Sequence, residues 1–265
     1  MLTPGIEQTL QAIFFRRQNS QLSSSKPSEQ GLGLIEALMA VVVMGLTIGL
    51  VLPPLFIAAA TRVQTRRAEQ ALQIAQGEVD RVRVLVARGQ HTPTGNWRLP
   101  ATITGNNINA QNPPTTATTL LRSPRAACNT YDGRQISITQ ALMIDIDGDP
   151  SCTPDFMMQV FRTSGSTTRT EQLGQGRPSD FELGVRVYST TAGRAANQGA
   201  VTPGSTLTGI LPGQASLSLT SGEGNQLKRA LAIVNTRVTW GDRDSSLCGY
   251  QGSRQSQIES CLDTF

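Results

Sequence analysis

From Leu32 to Thr61 the chain carries one ionisable side chain, Glu36, inside a run that begins GLGLIEALMAVVVMGLTIGL and continues VLPPLFIAAA. About thirty residues of this kind exceed the roughly 20 that a helix needs to cross a bilayer, so the run predicts a membrane helix over 32–60. A secretory signal has a shorter apolar core followed by a small-x-small site. The length here fits an anchor better, even though Ala58, Ala59 and Ala60 imitate such a site. Pro53 and Pro54 fall inside the run. Each removes an intrahelical hydrogen bond and crowds the preceding turn, which predicts a kink or a locally unwound stretch.

The stretch TRVQTRRAEQALQIAQGEVDRVRVLVARG keeps a helical stripe beyond the apolar run, with Ala68, Leu72, Ala75, Val79, Val82, Leu85 and Val86 recurring at three and four. Arg67, Glu69, Asp80, Arg81 and Arg88 occupy the opposite face. Residues 61–88 therefore read as an amphipathic continuation that packs on something outside the membrane, ended by Gly89 and Pro93. The polar residues 1–31 carry Arg16, Arg17 and Lys26 against Glu7 and Glu29. That favours a cytoplasmic N-terminus and an exported C-terminus, although Arg62, Arg66 and Arg67 on the far side weaken the asymmetry.

Residues 89–265 differ in character. WRLPATITGNNINAQNPPTTATTLLRSPRAA reads as a Thr-, Asn- and Pro-rich connector, loosely held. After it come five β-like runs, RQISITQALMIDI, DFMMQVFR, DFELGVRVYST, ASLSLT and KRALAIVNTRVTW. In the third, Phe181, Leu183, Val185 and Val187 share one face and Glu182, Arg186 and Tyr188 the other. Linked by GSTTRTEQLGQGRPS and TTAGRAANQGAVTPGST, these runs predict an antiparallel sheet lying on the amphipathic helix, an α+β fold.

The formal charge is +4, from 23 Lys and Arg against 19 Asp and Glu. It is scattered, so no nucleic-acid footprint is present. Catalytic constellations are absent: His91, the one histidine, lies in a connector, and neither a GxSxG motif nor a glycine-rich phosphate loop occurs. The chain does not read as an enzyme. Cys128, Cys152, Cys248 and Cys261 lack CxxC spacing, which argues against zinc. Sequence neighbours suggest Cys128 with Cys152 and Cys248 with Cys261, the alternative being four reduced buried thiols. Asp145, Asp147 and Asp149 alternate in DIDGDP, an oxygen-rich pattern of the kind calcium favours. The EF-hand pattern fails, because Gly148 comes fourth and Phe156 twelfth, and a plain acidic turn explains the same residues.

A polar, weakly basic leader ending in Gly31, an apolar helix starting at Leu32, a carboxylate at Glu36 and a proline at Pro53 together resemble the class III signal of type IV pilins and of type II secretion pseudopilins. The resemblance is specific over residues 31–60 and looser up to 88. It implies cleavage between Gly31 and Leu32 by a prepilin peptidase and methylation of the new amine. The processed helix would then leave the bilayer for a filament core. The partners implied are other pilin-like subunits, the prepilin peptidase and an inner-membrane assembly platform. In such filaments the carboxylate at the position of Glu36 is thought to meet the N-terminal amine of an adjoining subunit. Leu32 stands where Phe is usual and Gly33 where Thr is usual.

Some pseudopilins bind calcium in the globular part, and many pilins carry a C-terminal disulfide loop where Cys248 and Cys261 lie. The leader, the 61–83 helix, the IDIDGD turn and the FELGVRVYS strand also look like pseudopilins of filamentous cyanobacteria linked to hormogonium polysaccharide secretion. That implies a minor subunit serving polysaccharide export and gliding motility. A rival reading is a non-polymerising bitopic membrane protein whose exported β domain binds a ligand.

Overall fold

The computed structural model describes residues 33–92, 99–167, 171, 173–193, 200–216 and 227–241. One helix, α1 (Leu34–Ala87), carries the apolar run and its amphipathic continuation, with Pro53 and Pro54 inside it. Helical assignment continues through both prolines, so no unwound stretch forms there. Thr47, Thr61 and Thr65 return their hydroxyls to carbonyls three or four residues back, which satisfies them within the helix. The helix ends as the sequence predicts at Gly89. This residue takes a φ of +65° while Gly89 N donates to Val86 O and Gln90 N to Leu85 O, the paired bonds of a Schellman cap. Residues from Leu55 onward form one compact unit and those up to Pro54 another.

The face that α1 buries is Ala71, Ala75, Glu78, Val79, Val82, Leu85 and Val86. Two of the residues expected on the stripe are displaced from it: Leu72 is exposed and Ala68 only partly covered. Counting back from Ala75 by a turn reaches Ala71, so helical geometry selects the smaller side chain. Ala71 and Ala75 are fully buried and let the helix lie close on the sheet.

Six strands make that sheet: β1 (Ala101–Thr102), β2 (Thr116–Arg122), β3 (Gln140–Ile144), β4 (Phe156–Arg162), β5 (Asp180–Ser189) and β6 (Ala232–Thr239). Their order is β2-β3-β4-β5-β6, with β1 beside the far end of β4. The β3–β4, β4–β5 and β5–β6 pairs are antiparallel. The β1–β4 and β2–β3 pairs are parallel, which makes the sheet mixed and mostly antiparallel. A parallel pair needs a crossover of a dozen or more residues, and residues 123–139 are long enough to supply it between β2 and β3.

Alternation along the strands separates two cores. Leu142, Ile144, Phe156, Met158, Phe181, Leu183, Val185 and Val187 face the helix with Val238 and Trp240. On the other face Ala141, Met143, Met157 and Tyr188 meet Ala117, Leu121, Val201, Leu207 and Ala230. Fully burying a Leu, Val, Phe or Met side chain stabilises by about 1.5–3 kcal/mol, so both layers contribute substantially. The polar face expected of β5 is therefore largely covered: Arg186 and Tyr188 are buried, and Glu182 alone of the three stays exposed.

The segment read as a loose connector is not one. It contains β1, β2 and a short 3₁₀ turn at Ile108–Ala110, and it buries Leu99, Ile103 and Ile108. Side chains of the sheet hold its backbone. Arg162 Nε donates to Pro100 O at 3.1 Å, Arg186 Nη1 to Gln111 O at 2.7 Å and Gln159 Nε2 to Asn112 O at 3.0 Å. Other expected runs shorten: residues 134–139 precede β3 without strand pairing, and Ala215 and Ser216 are not in a named strand. Residues 217–220 of that ASLSLT run lie outside the described residues.

Candidate functional site

The largest chemical anomaly lies on α1. Leu34, Ile35, Met39, Val41, Met44, Leu50 and Phe56 are each at least 66% exposed, and an 18-residue window of this helix has no buried residue. Monomeric soluble proteins rarely leave a continuous apolar surface of this extent uncovered. The helix is long and apolar enough to cross a membrane. Glu36 is the acidic residue of its first turn. Its backbone N–H donates to Gly33 O at 2.8 Å, and its side chain has no partner among the described residues. A lone carboxylate on such a surface costs on the order of 2.5–3.5 kcal/mol at mid-bilayer and less near an end, which makes a counter-charge valuable. Gly31 and Leu32, the expected scissile pair, lie outside the described residues.

The cysteine reading divides. Cys128 and Cys152 form a disulfide, which ties the β2–β3 crossover to the loop between β3 and β4. Cys152 adopts a φ of +54°, uncommon for a side-chain-bearing residue. Cys248 and Cys261 lie outside the described residues.

Asp145, Asp147 and Asp149 are brought together, each offering an oxygen within 4.8 Å of the others. Both oxygens of buried Asp145 accept hydrogen bonds, from Ser123 Oγ at 2.7 Å and Gly148 N at 2.8 Å. Asp149 accepts from the Ser151 hydroxyl and from Thr153, and these bonds hold its carboxyl down at about 2. Asp147 accepts from Asp149 N at 3.1 Å. Calcium takes six to eight oxygens, of which three carboxylates would supply a part. The structure thus brings the three acids of the sequence pattern together in one hydrogen-bonded turn.

Two polar clusters escaped the sequence reading. Glu78 is buried on α1 and accepts from Arg81 Nη2 at 2.6 Å and from Arg122 Nη1 of β2 at 3.2 Å. Next to Tyr131, whose hydroxyl burial pushes up from its usual value, this pair joins helix to sheet. His91 is fully buried against Trp240, ring centroids 4.6 Å apart and perpendicular. Its Nε2 lies 3.2 Å from Pro178 O, while Nδ1 has no partner among the described residues. Arg177 lies over the Trp240 ring at 4.6 Å, pairs with Glu171 at 2.7 Å and caps the helix end through Gly89 O at 3.0 Å. A polar residue on an apolar stripe, as at Glu78, is the signal that points to such a cluster. For His91 the sequence offers none.

No family model, curated protein or solved structure matches this chain. What the described residues define is an α+β protein with one long N-terminal apolar helix, its amphipathic half packed on a mixed sheet. That architecture is compatible with a pilin-like fold.

Proposed function

We propose that the protein is a minor pilin-like subunit, a pseudopilin, made as a membrane-anchored precursor and built into a type IV pilus or type II secretion-like filament. The observation that carries this reading is the uncovered apolar surface of α1 with one acid in its first turn. A helix of this composition needs lipid before assembly and other helices after it. The acid needs a positive partner in both settings, and the amine created by cleavage after Gly31 on a neighbouring copy or related subunit supplies one. The packed half of α1 then holds the β domain on the outside of the filament, where its loops are free to contact other subunits. The machine served is one for secretion, of polysaccharide on the narrower resemblance, or for motility.

Mass spectrometry of the mature N-terminus tests the proposal. An N-methylated Leu32 is expected. An intact Met1, or a terminus after Ala60, would favour a bitopic protein that does not polymerise.

A further inference from the structure

Immediately past the apolar run, α1 presents Arg62, Arg66 and Arg67, all exposed. None has an ion-pair partner among the described residues, in contrast to Arg81, Arg83, Arg122, Arg177 and Arg237, which each sit on a carboxylate. Arg62 and Arg66 face away from their own domain, whereas Arg67, four residues before Ala71, lies on the packed side and borders a cleft with Ile146, Asp147 and Asp155. Arg62 is nine residues from Ala71 and Arg66 nine from Ala75, which at 3.6 residues per turn puts both arginines on roughly the opposite side of the helix from the buried stripe. Leu34 to Ala60 spans about 40 Å at 1.5 Å per residue, against a hydrocarbon core of about 30 Å, so the arginines emerge in the headgroup layer.

We infer that Arg62 and Arg66 form a collar that binds the phosphates of anionic phospholipids at the exported end of the span. The chemistry fits: a guanidinium offers paired N–H donors that match phosphate oxygens, and its alkyl stem lies along the apolar helix while the head reaches the interface. The positive charges of Arg62 and Arg66 beyond the span also oppose the usual charge asymmetry of an N-terminus-in anchor. A bound lipid phosphate offsets that conflict by neutralising them where they stand. The inference rests on the membrane-anchored reading proposed above. It adds a lipid class to that reading, and it places the precursor in contact with anionic lipid before the helix is extracted.

The test uses the full chain in vesicles of phosphatidylcholine with a minority of phosphatidylglycerol, each lipid spin-labelled in turn, so that selectivity at the protein surface is read directly. The leader's own basic residues contribute equally to every variant and cancel in the comparison. The expected result is a phosphatidylglycerol preference that falls roughly fivefold in R62Q/R66Q, is largely kept in R62K/R66K, and weakens in high salt. Equal selectivity in the wild type and the glutamine variant overturns the collar. So does a glutamine variant that keeps wild-type lipid selectivity but fails to enter filaments, which would assign the arginines to an acidic protein partner. Failure of the wild-type chain to float with vesicles of either composition removes the membrane anchor itself, and the collar with it.

Discussion

The Glu78 carboxylate on α1 and the Arg122 guanidinium on β2 meet at 3.2 Å across the boundary between helix and sheet, with the carboxylate only 1% exposed. Arg81, one turn along the same helix, holds the other side of the carboxylate. Charge on a packed helix face is tolerated here because two cations and their hydrogen bonds replace water.

Removing the two partners should have unequal effects. Glu78→Ala takes away hydrogen bonds to a charged acceptor and leaves a cavity at the interface, so a loss of about 2–3 kcal/mol is expected. Arg122→Ala leaves Arg81 in place, and Arg122 is itself 40% exposed, so a loss of about 1 kcal/mol is expected. Chemical denaturation of the two variants checks the order. A larger loss for Arg122→Ala would mean that Arg81 does not hold the carboxylate alone.

Acid should loosen the end of α1 through His91. Burial lowers its pKa below the ordinary 6.5, against a smaller raising contribution from Pro178 O; Arg177 and Arg162 lower it further and Glu171 opposes them. The folded state thus prefers the neutral ring, while the unfolded chain takes up a proton near 6.5. Stability contributed by the neutral ring is present above that value and is lost as pH falls below it, down to the folded pKa. Thermal unfolding between pH 7 and 5 should show this fall. His91→Phe, which removes the titration and keeps a ring beside Trp240, should flatten it.

The disulfide closes a 24-residue separation between Cys128 and Cys152. Cys128→Ser with Cys152→Ser should lower stability by roughly 3 kcal/mol in the chain-entropy account. Peptide mapping without reductant should recover the 128–152 linked pair from the native protein. Recovery of either cysteine joined to Cys248 or Cys261 instead would contradict the fold described.

Gly184 sits in the middle of β5 where a Cβ would meet Phe161 Cε2 at 2.5 Å and Ile108 Cγ1 at 3.1 Å. Phe161 is fully buried beneath Arg186, whose guanidinium carbon lies 5.0 Å from the ring centre, so the ring has little room to yield. Gly184→Ala is therefore expected to destabilise by about 1–3 kcal/mol, despite alanine's ordinary gain in a glycine position. A neutral or stabilising result in urea titration would show that the 108–112 segment gives way readily.

For the proposed function, Glu36→Ala should leave processing after Gly31 intact and abolish incorporation into filaments, read by cell fractionation and immunoblotting of sheared surface material. Replacing Gly31 with a bulky residue should leave the precursor uncut in the inner membrane. Normal incorporation of the Glu36 variant would remove the account given of that carboxylate.

The sequence by itself determined the elements whose signal is local. An apolar run written residue after residue, a helical stripe from Ala75 to Val86 ended by Gly89, and the alternation of Phe181 to Val187 all survive in the structure because periodic burial is recorded in neighbouring letters. Tertiary structure decided what depends on partners distant in the chain. β2 was hidden among threonines, although threonine is β-branched and suits a strand, because prolines and asparagines around it resemble a linker. Its place beside β3 comes from a long crossover. The burial of Glu78, Arg186 and His91 likewise depended on Arg122, on the Gln111 carbonyl and on Trp240 arriving from elsewhere. A polar side chain enters a core only when its hydrogen-bonding partners arrive with it, and even for Glu78, which has Arg81 on its own helix, part of the set comes from a distant strand.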